Sequence, residues 1–203
     1  MYLDILSSSQ KELLPFLATF KREFILVGGT AIALQIGHRK SIDFDLFKQN
    51  TLNKKKIKAK VNGLDAKKQL LFEDGDGIHF LVNDVKITFF QYPFPINGTI
   101  SVEKYIKMPD LLTLVAMKFY AMGRRTKWKD YVDIYFLLNN GFTIEQGSKK
   151  ALELFGDGYS EKLFRQQLAY FEDIDYSETV EWVVKEISNE EIKSKLIDFS
   201  LNF

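Results

Sequence analysis

The stretch FILVGGTAIALQIGHRKSIDFDLF, residues 24–47, constrains the fold more than any other part of the chain. Its apolar opening, FILV, reads as a short buried strand that ends at Gly28 and Gly29. TAIALQI then reads as a helix beginning directly on that turn, with Gly37 as its cap. SIDFDLF alternates and reads as a second strand. Residues i and i+2 of a strand point to the same side, so Asp43 and Asp45 project together while Ile42, Phe44 and Leu46 face the core. At about 4 Å and an effective dielectric near 20, two such carboxylates repel by roughly 4 kcal/mol. A divalent cation would offset this, and paired hard oxygen ligands suit magnesium, which takes one or two carboxylates plus substrate phosphates. The glycines point the same way. They let the backbone approach a ligand closely, and the helix start offers free N–H groups to phosphate oxygens. Thr30 adds a hydroxyl near the N-cap. Each half alone has an ordinary explanation, a capped tight turn or an edge strand with solvated acids. Their combination in one short unit is the specific signal.

The rest of the chain sets bounds. With 203 residues, 46% hydrophobic and 14% aromatic, it is long and apolar enough for one large domain or two small ones. Cysteine is absent, which removes disulfides and cysteine-based zinc sites or nucleophiles. The first residues carry no basic region followed by an apolar stretch, so no signal peptide is expected. No apolar run approaches the length of a membrane span, and a cytoplasmic protein without a membrane partner is expected. Net charge is +1, but cations cluster in NKKKIKAK (53–60) and GRRTKWK (123–129).

Residues 3–20 are predicted helical, with breaks near Ser7. Residues 51–69 fit either a helix or a loop. LLFED, IHFLV and VKITFFQY read as three more strands, joined by turns at 75–77 and at Asn83-Asp84. From Pro109 onward the pattern is helical, over 109–122, 128–140, 145–155, 160–171, 178–188 and 189–198. An α/β part to about residue 100 and a helical part from 101 to 203 follow.

In the helical part, Lys118 is the lone charge between Leu111 and Met122 and sits on the inward stripe of its helix, where a lysine needs a carboxylate or a bound anion. Asp130 and Asp133 share a face with Ile134 and Leu137. Two readings stay open: an ion pair between Lys118 and Asp130 that joins two helices, or a lysine that meets nucleotide phosphates while the acids position it. His38 reads as a structural turn residue, and His38 and His79 do not suggest a metal pair.

The segment LVGGTAIALQIGHRKSIDFDLF resembles the polymerase-β-like nucleotidyltransferase superfamily, and within it the AbiEii-type group, where an Arg-x-Ser-x-Asp-x-Asp run is typical. Arg39, Ser41, Asp43 and Asp45 match that run. LLTLVAMKFYAMGRRTKWKDYVDIYFLL is similar to the group's lysine-bearing helix and following Arg/Lys-Asp-x-x-Asp helix, with Lys118, Lys129, Asp130 and Asp133 at those positions. The resemblance covers the chain to about residue 140.

It implies an α+β fold, a small mixed sheet with flanking helices followed by a C-terminal helical bundle. It implies transfer of a nucleoside monophosphate from a triphosphate to an RNA (tRNA-like) or protein hydroxyl, with Mg2+ as cofactor. A toxin of a bacterial toxin–antitoxin or phage-defence pair, with an antitoxin partner, is the corresponding biological expectation. Asp43 and Asp45 would hold the metal. Gly28, Gly29, Thr30, Arg39, Ser41 and Lys118 would bind nucleotide, and Lys118 and Asp130 would join Asp43 and Asp45 in catalysis. One position departs from the superfamily pattern. A third carboxylate is expected on the strand VKITFFQY, and Thr88 stands where it aligns. The alternative is a catalytically degenerate module that binds nucleotide or RNA.

Overall fold

The computed structural model describes residues 1–122 and 124–202. Gly123, the first residue of the basic segment 123–129, and Phe203 lie outside the described residues. The chain divides into two compact units: Met1–Ile36 with Ser41–Asp110, and Gly37–Lys40 with Leu111–Phe203.

In the first unit, helix α1 (Ser8–Ala18) is opened by a capping box in which Ser7 and Gln10 satisfy each other's backbone N–H. This is why the predicted helix over 3–20 starts late, after a single tight turn at Leu3–Ile5. Strand β1 (Ile25–Val27) runs straight into α2 (Gly28–Ile36), so both glycines belong to the first turn of the helix. Gly37 follows with φ +68°, the left-handed cap expected of it. Strand β2 (Asp43–Lys48) is followed by α3 (Lys54–Asn62), which settles the lysine-rich stretch as a helix capped by Asn53, with Ile57 and Val61 buried one turn apart. Strands β3 (Lys68–Glu73), β4 (Gly77–Val82) and β5 (Val85–Gln91) complete the sheet. The turn between β4 and β5 has positive φ at both Asn83 and Asp84, the conformation a two-residue hairpin needs.

The sheet order is β1-β2-β5-β4-β3. Strands β2 and β5 are parallel, and the other pairs are antiparallel. Phe44, Leu46, Ile78, Phe80, Ile87 and Phe89 fill one face and are buried. Phe20 and Phe24 pack on Phe89 from that side, with ring centroids 4.8 Å and 5.4 Å away. The opposite side of β2 therefore carries Asp43 and Asp45. Ile42 does not join the core as expected. It precedes β2 and is 51% exposed. A hairpin absent from the sequence reading, β6 (Ile100–Val102) and β7 (Ile106–Met108), also belongs to this unit.

The second unit holds α4 (Leu111–Met122), α5 (Trp128–Asn139), α6 (Ile144–Phe155), α7 (Glu161–Leu168) and α8 (Asn189–Leu201). Gly147 of α6 packs against Phe119 and Val115 of α4, where a Cβ would overlap the Phe119 ring. Phe119 in turn stacks on Phe164 of α7 at 3.9 Å. The helix expected over 178–188 is not formed. Residues 171–188 run as an irregular strap, because their backbone groups are taken by other segments: Lys40 N–H donates to Glu181 O (2.8 Å), and Val183 N–H to His38 O (3.2 Å). Among the described residues, no helix is long and apolar enough to cross a membrane.

Candidate functional site

Five of the residues singled out in the sequence converge in the first unit. Gly28 has φ +73°, and a Cβ built on it would overlap Asp45 Oδ2. The start of α2 thus lies directly against the Asp45 carboxylate, with the positive end of the helix dipole toward it. The Thr30 hydroxyl donates to the Asp43 carbonyl oxygen and lies 2.8 Å from Ser41 Oγ. Thr30 and Ser41 are both buried. The expectation that the Thr30 hydroxyl projects toward a phosphate is corrected: it fixes the backbone entering β2 and so the direction of the Asp43 side chain. Asp43 pairs in register with Lys86, whose Nζ is 4.0 Å from Asp43 Oδ2.

Thr88, which aligns with the third carboxylate expected from the resemblance, has a definite neighbour on each side. Asp45 is directly opposite Thr88 in the β2–β5 ladder, and Thr88 is opposite His79 in the β5–β4 ladder. Cross-strand partners share a face, so Asp45, Thr88 and His79 form one row on the side of the sheet away from the core. Thr88 Oγ1 is 3.1 Å from His79 Nδ1. In the sequence His79 was weighed only as a metal partner of His38, although its place between the core residues Ile78 and Phe80 is the signal that puts it on this face.

Arg39, Lys118 and Asp130 are brought together in the second unit. Lys118 is 4% exposed, bound to Asp130 and 2.7 Å from Asp133 Oδ2. Arg39 forks onto Asp133, with Nε 2.7 Å from Oδ1 and Nη2 2.9 Å from Oδ2. His38 Nε2 reaches the same Oδ1 at 2.8 Å. Arg125 closes the group from the surface, its Nε 2.7 Å from Asp130 Oδ2. Burial alone would raise both carboxyls, but Arg39 and Lys118 outweigh it and hold Asp133 well below the usual carboxylate range, while Lys118 and Arg125 lower Asp130. Burial lowers His38 despite Asp133, so the ring is neutral at pH 7. The ion pair anticipated between Lys118 and Asp130 is present, but as part of a larger network centred on Asp133. Arg39, expected on nucleotide, spends its guanidinium inside this network. No spacing in the sequence announced that pairing, which spans 94 residues. Lys129, the other cation of the motif, turns away to Glu178 at 3.3 Å.

The model of the nucleotidyl transferase AbiEii toxin family, a type IV toxin–antitoxin system, matches residues 16–195. The chain belongs to this family. It is a nucleotidyltransferase by that membership, and residues 16–195 of this AbiEii chain include both the Gly28–Asp45 unit and the Lys118–Asp130 network. An uncharacterised protein of Aquifex aeolicus (strain VF5), aq_aa25, is 29% identical over 161 residues, covering 74% of this chain and 75% of its own. The fold is shared with MenT4, the nucleotidyltransferase toxin Rv2826c from Mycobacterium tuberculosis H37Rv, with TM-score 0.65 and 13% identity over 95% of this chain and 80% of that one. JHP933 from Helicobacter pylori also has this fold, with TM-score 0.57 and 14% identity over 96% of this chain and 91% of that one.

Proposed function

We propose that this AbiEii-family chain moves a nucleoside monophosphate from a magnesium–triphosphate to a hydroxyl of an RNA, and acts in the cytoplasm as the toxin of a bacterial toxin–antitoxin pair. The reading rests on one observation above all: Gly28 leaves no room for a side chain between the start of α2 and Asp45, with Asp43 on the same face. The donor set fits magnesium. Asp43 and Asp45 offer two carboxylates from one face of β2, and substrate oxygens would complete the sphere. Held by Asp43 and Asp45, the ion would supply charge stabilisation to the transferring phosphoryl group.

The remaining roles are proposals on the same footing. The backbone N–H groups of Gly28 and Gly29 meet phosphate oxygens, Thr30 and Ser41 set the direction of Asp43, and orientation does much of the catalysis. Lys118, positioned by Asp130, meets the triphosphate, and Arg39 acts indirectly by holding Asp133. RNA is favoured over a protein acceptor by a groove of about 330 Å³ whose lining sets four cations, Lys21, Arg22, Lys104 and Lys107, against one acid, Glu103, a balance that suits a phosphate backbone. The second reading, a binding module without turnover, is favoured by Thr88 at the third-carboxylate position.

The test is a thermal shift with magnesium and each of the four triphosphates, followed by incorporation of labelled nucleotide into total RNA. Asp45→Asn should abolish most magnesium–triphosphate binding while keeping or raising the stability of the free protein, because like-charge repulsion is relieved. A destabilised variant that binds nucleotide as before would make the acid pair structural.

A further inference from the structure

The row Asp45–Thr88–His79 crosses three adjacent strands on the side of the sheet away from the core. We propose that Thr88 and His79 together accept the proton of the attacking hydroxyl, in the place where a third carboxylate was expected. Thr88 stands between the metal-binding face of β2 and the imidazole, and its Oγ1 is 3.1 Å from His79 Nδ1. An uncharged imidazole presents one bare nitrogen, and with that nitrogen at Nδ1 the threonine hydroxyl donates to it. The threonine oxygen keeps its lone pairs for an incoming proton.

The surroundings of His79 favour this state. Burial lowers its pKa, Lys86 on β5 acts in the same direction, and Asp45 on β2 and Asp74 before β4 oppose them. The side of Nε2 is kept open by Gly77, where a Cβ would stand 3.2 Å from Nε2 and 3.3 Å from Asp74 Oδ1. Asp74 is itself held, its Oδ1 accepting from Gly77 N–H at 2.7 Å and Asp76 N–H at 3.1 Å.

The step balances. The acceptor oxygen forms a bond to the α-phosphorus, the bond from that phosphorus to the leaving oxygen breaks, and pyrophosphate departs. The acceptor proton passes to Thr88 Oγ1 as the threonine proton passes to His79 Nδ1. The imidazolium returns to neutral by releasing a proton from Nε2 to solvent, and water then exchanges the remaining proton from Nδ1 to Nε2, which restores the tautomer that accepts from Thr88.

This inference rests on the proposed transfer reaction, and its test separates the two. Pyrophosphate release is measured with magnesium and each triphosphate, with total RNA or water alone as acceptor, beside magnesium–triphosphate affinity by calorimetry. Thr88→Val and His79→Gln should each lower kcat by about 10²–10⁴-fold while affinity stays within about twofold. Imidazole in solution should restore turnover to His79→Ala, and Thr88→Asp should restore it to His79→Gln by supplying a carboxylate directly. Loss of triphosphate affinity in Thr88→Val and His79→Gln, or unchanged kcat in either, overturns the pair's role. A wild-type protein that binds magnesium–triphosphate yet releases no pyrophosphate with either acceptor overturns it too. Absence of magnesium–triphosphate binding by the wild type sinks the transfer reaction itself, and the pair with it.

Discussion

Gly28 shows how much one missing methyl group decides. An alanine there meets two separate costs, a left-handed backbone worth about 1–2 kcal/mol against any L side chain and an overlap with the Asp45 carboxylate. Gly28→Ala should therefore lose stability by about 1–2 kcal/mol, and should lose magnesium–triphosphate affinity by more than that, because Asp45 must swing away. Calorimetry at a temperature where the variant is fully folded checks this, and intact affinity would detach Gly28 from the site.

Lys118 poses the opposite problem, a charge that cannot be removed alone. Methionine fills its volume, but two buried carboxylates then share one cation fewer, and breaking such a network from one side costs about 3–5 kcal/mol. Lys118→Met should be destabilised on that scale in chemical denaturation, with Asp130→Asn added to it recovering part of the loss. Full stability in the single variant would mean that Arg39 and Arg125 suffice for both acids. The lysine's inward position was legible from helical spacing alone. So were the two acids beside it, Asp130 and Asp133, but the fork from Arg39 onto Asp133 was not, since a pairing across 94 residues leaves no local periodicity.

At the level of elements, short-range rules read the first unit well. Alternation in SIDFDLF and VKITFFQY and the Asn83-Asp84 turn named their structures, because each is decided by neighbours within a few residues, while Gly28 and Gly29, read as a turn before the helix, are its first turn. The strap over 171–188 defeated the same rules. Val180, Val183, Val184 and Ile187 have helical spacing, yet the N–H of Val183 and the carbonyl of Glu181 bond to residues 38–40. Tertiary hydrogen bonds there win over a helix propensity worth tenths of a kcal/mol per residue. The hairpin of β6 and β7 escaped because three-residue strands between prolines show too little alternation to count.

The strap also separates two kinds of bond. Glu178 pairs with Lys127 at 2.9 Å and Lys129 at 3.3 Å, all partly exposed, so Glu178→Gln should cost less than about 1 kcal/mol, and less still at high salt. Val183→Pro removes the N–H that donates to His38 O at 3.2 Å and leaves that carbonyl only the longer bond from Val184 N–H (3.5 Å), for about 1 kcal/mol. Thermal melts at low and high salt should show the first effect fading and the second persisting. Equal salt dependence would mean that charge, not backbone, seats the strap.

For the molecule as a whole, the shifted groups predict how stability follows pH. His38 and His79, the chain's two histidines, sit below their usual value in the folded state, so the unfolded chain binds protons first. Their contribution is complete above about 6.5 and is lost as pH falls from there toward the folded values. Asp130 and Asp133 are lowered too, and what they contribute is present above about 3.8 and lost as pH falls below it. The melting temperature should decline in two stages on acidification. His38→Gln should weaken the first stage and leave the second in place; an unchanged first stage would show that His38 carries none of it.

The four residues Gly37–Lys40 have a consequence in time. They are made early, between segments of the first unit, yet His38 and Arg39 find their carboxylate 95 and 94 residues later in the chain. At a synthesis rate of about 5–20 residues per second, roughly 5–20 s pass between the appearance of Arg39 and that of Asp133. Throughout that interval the guanidinium has no buried acid to meet, and the loop that carries it stays hydrated. The second unit therefore cannot close on its charged centre until most of the polypeptide has left the ribosome.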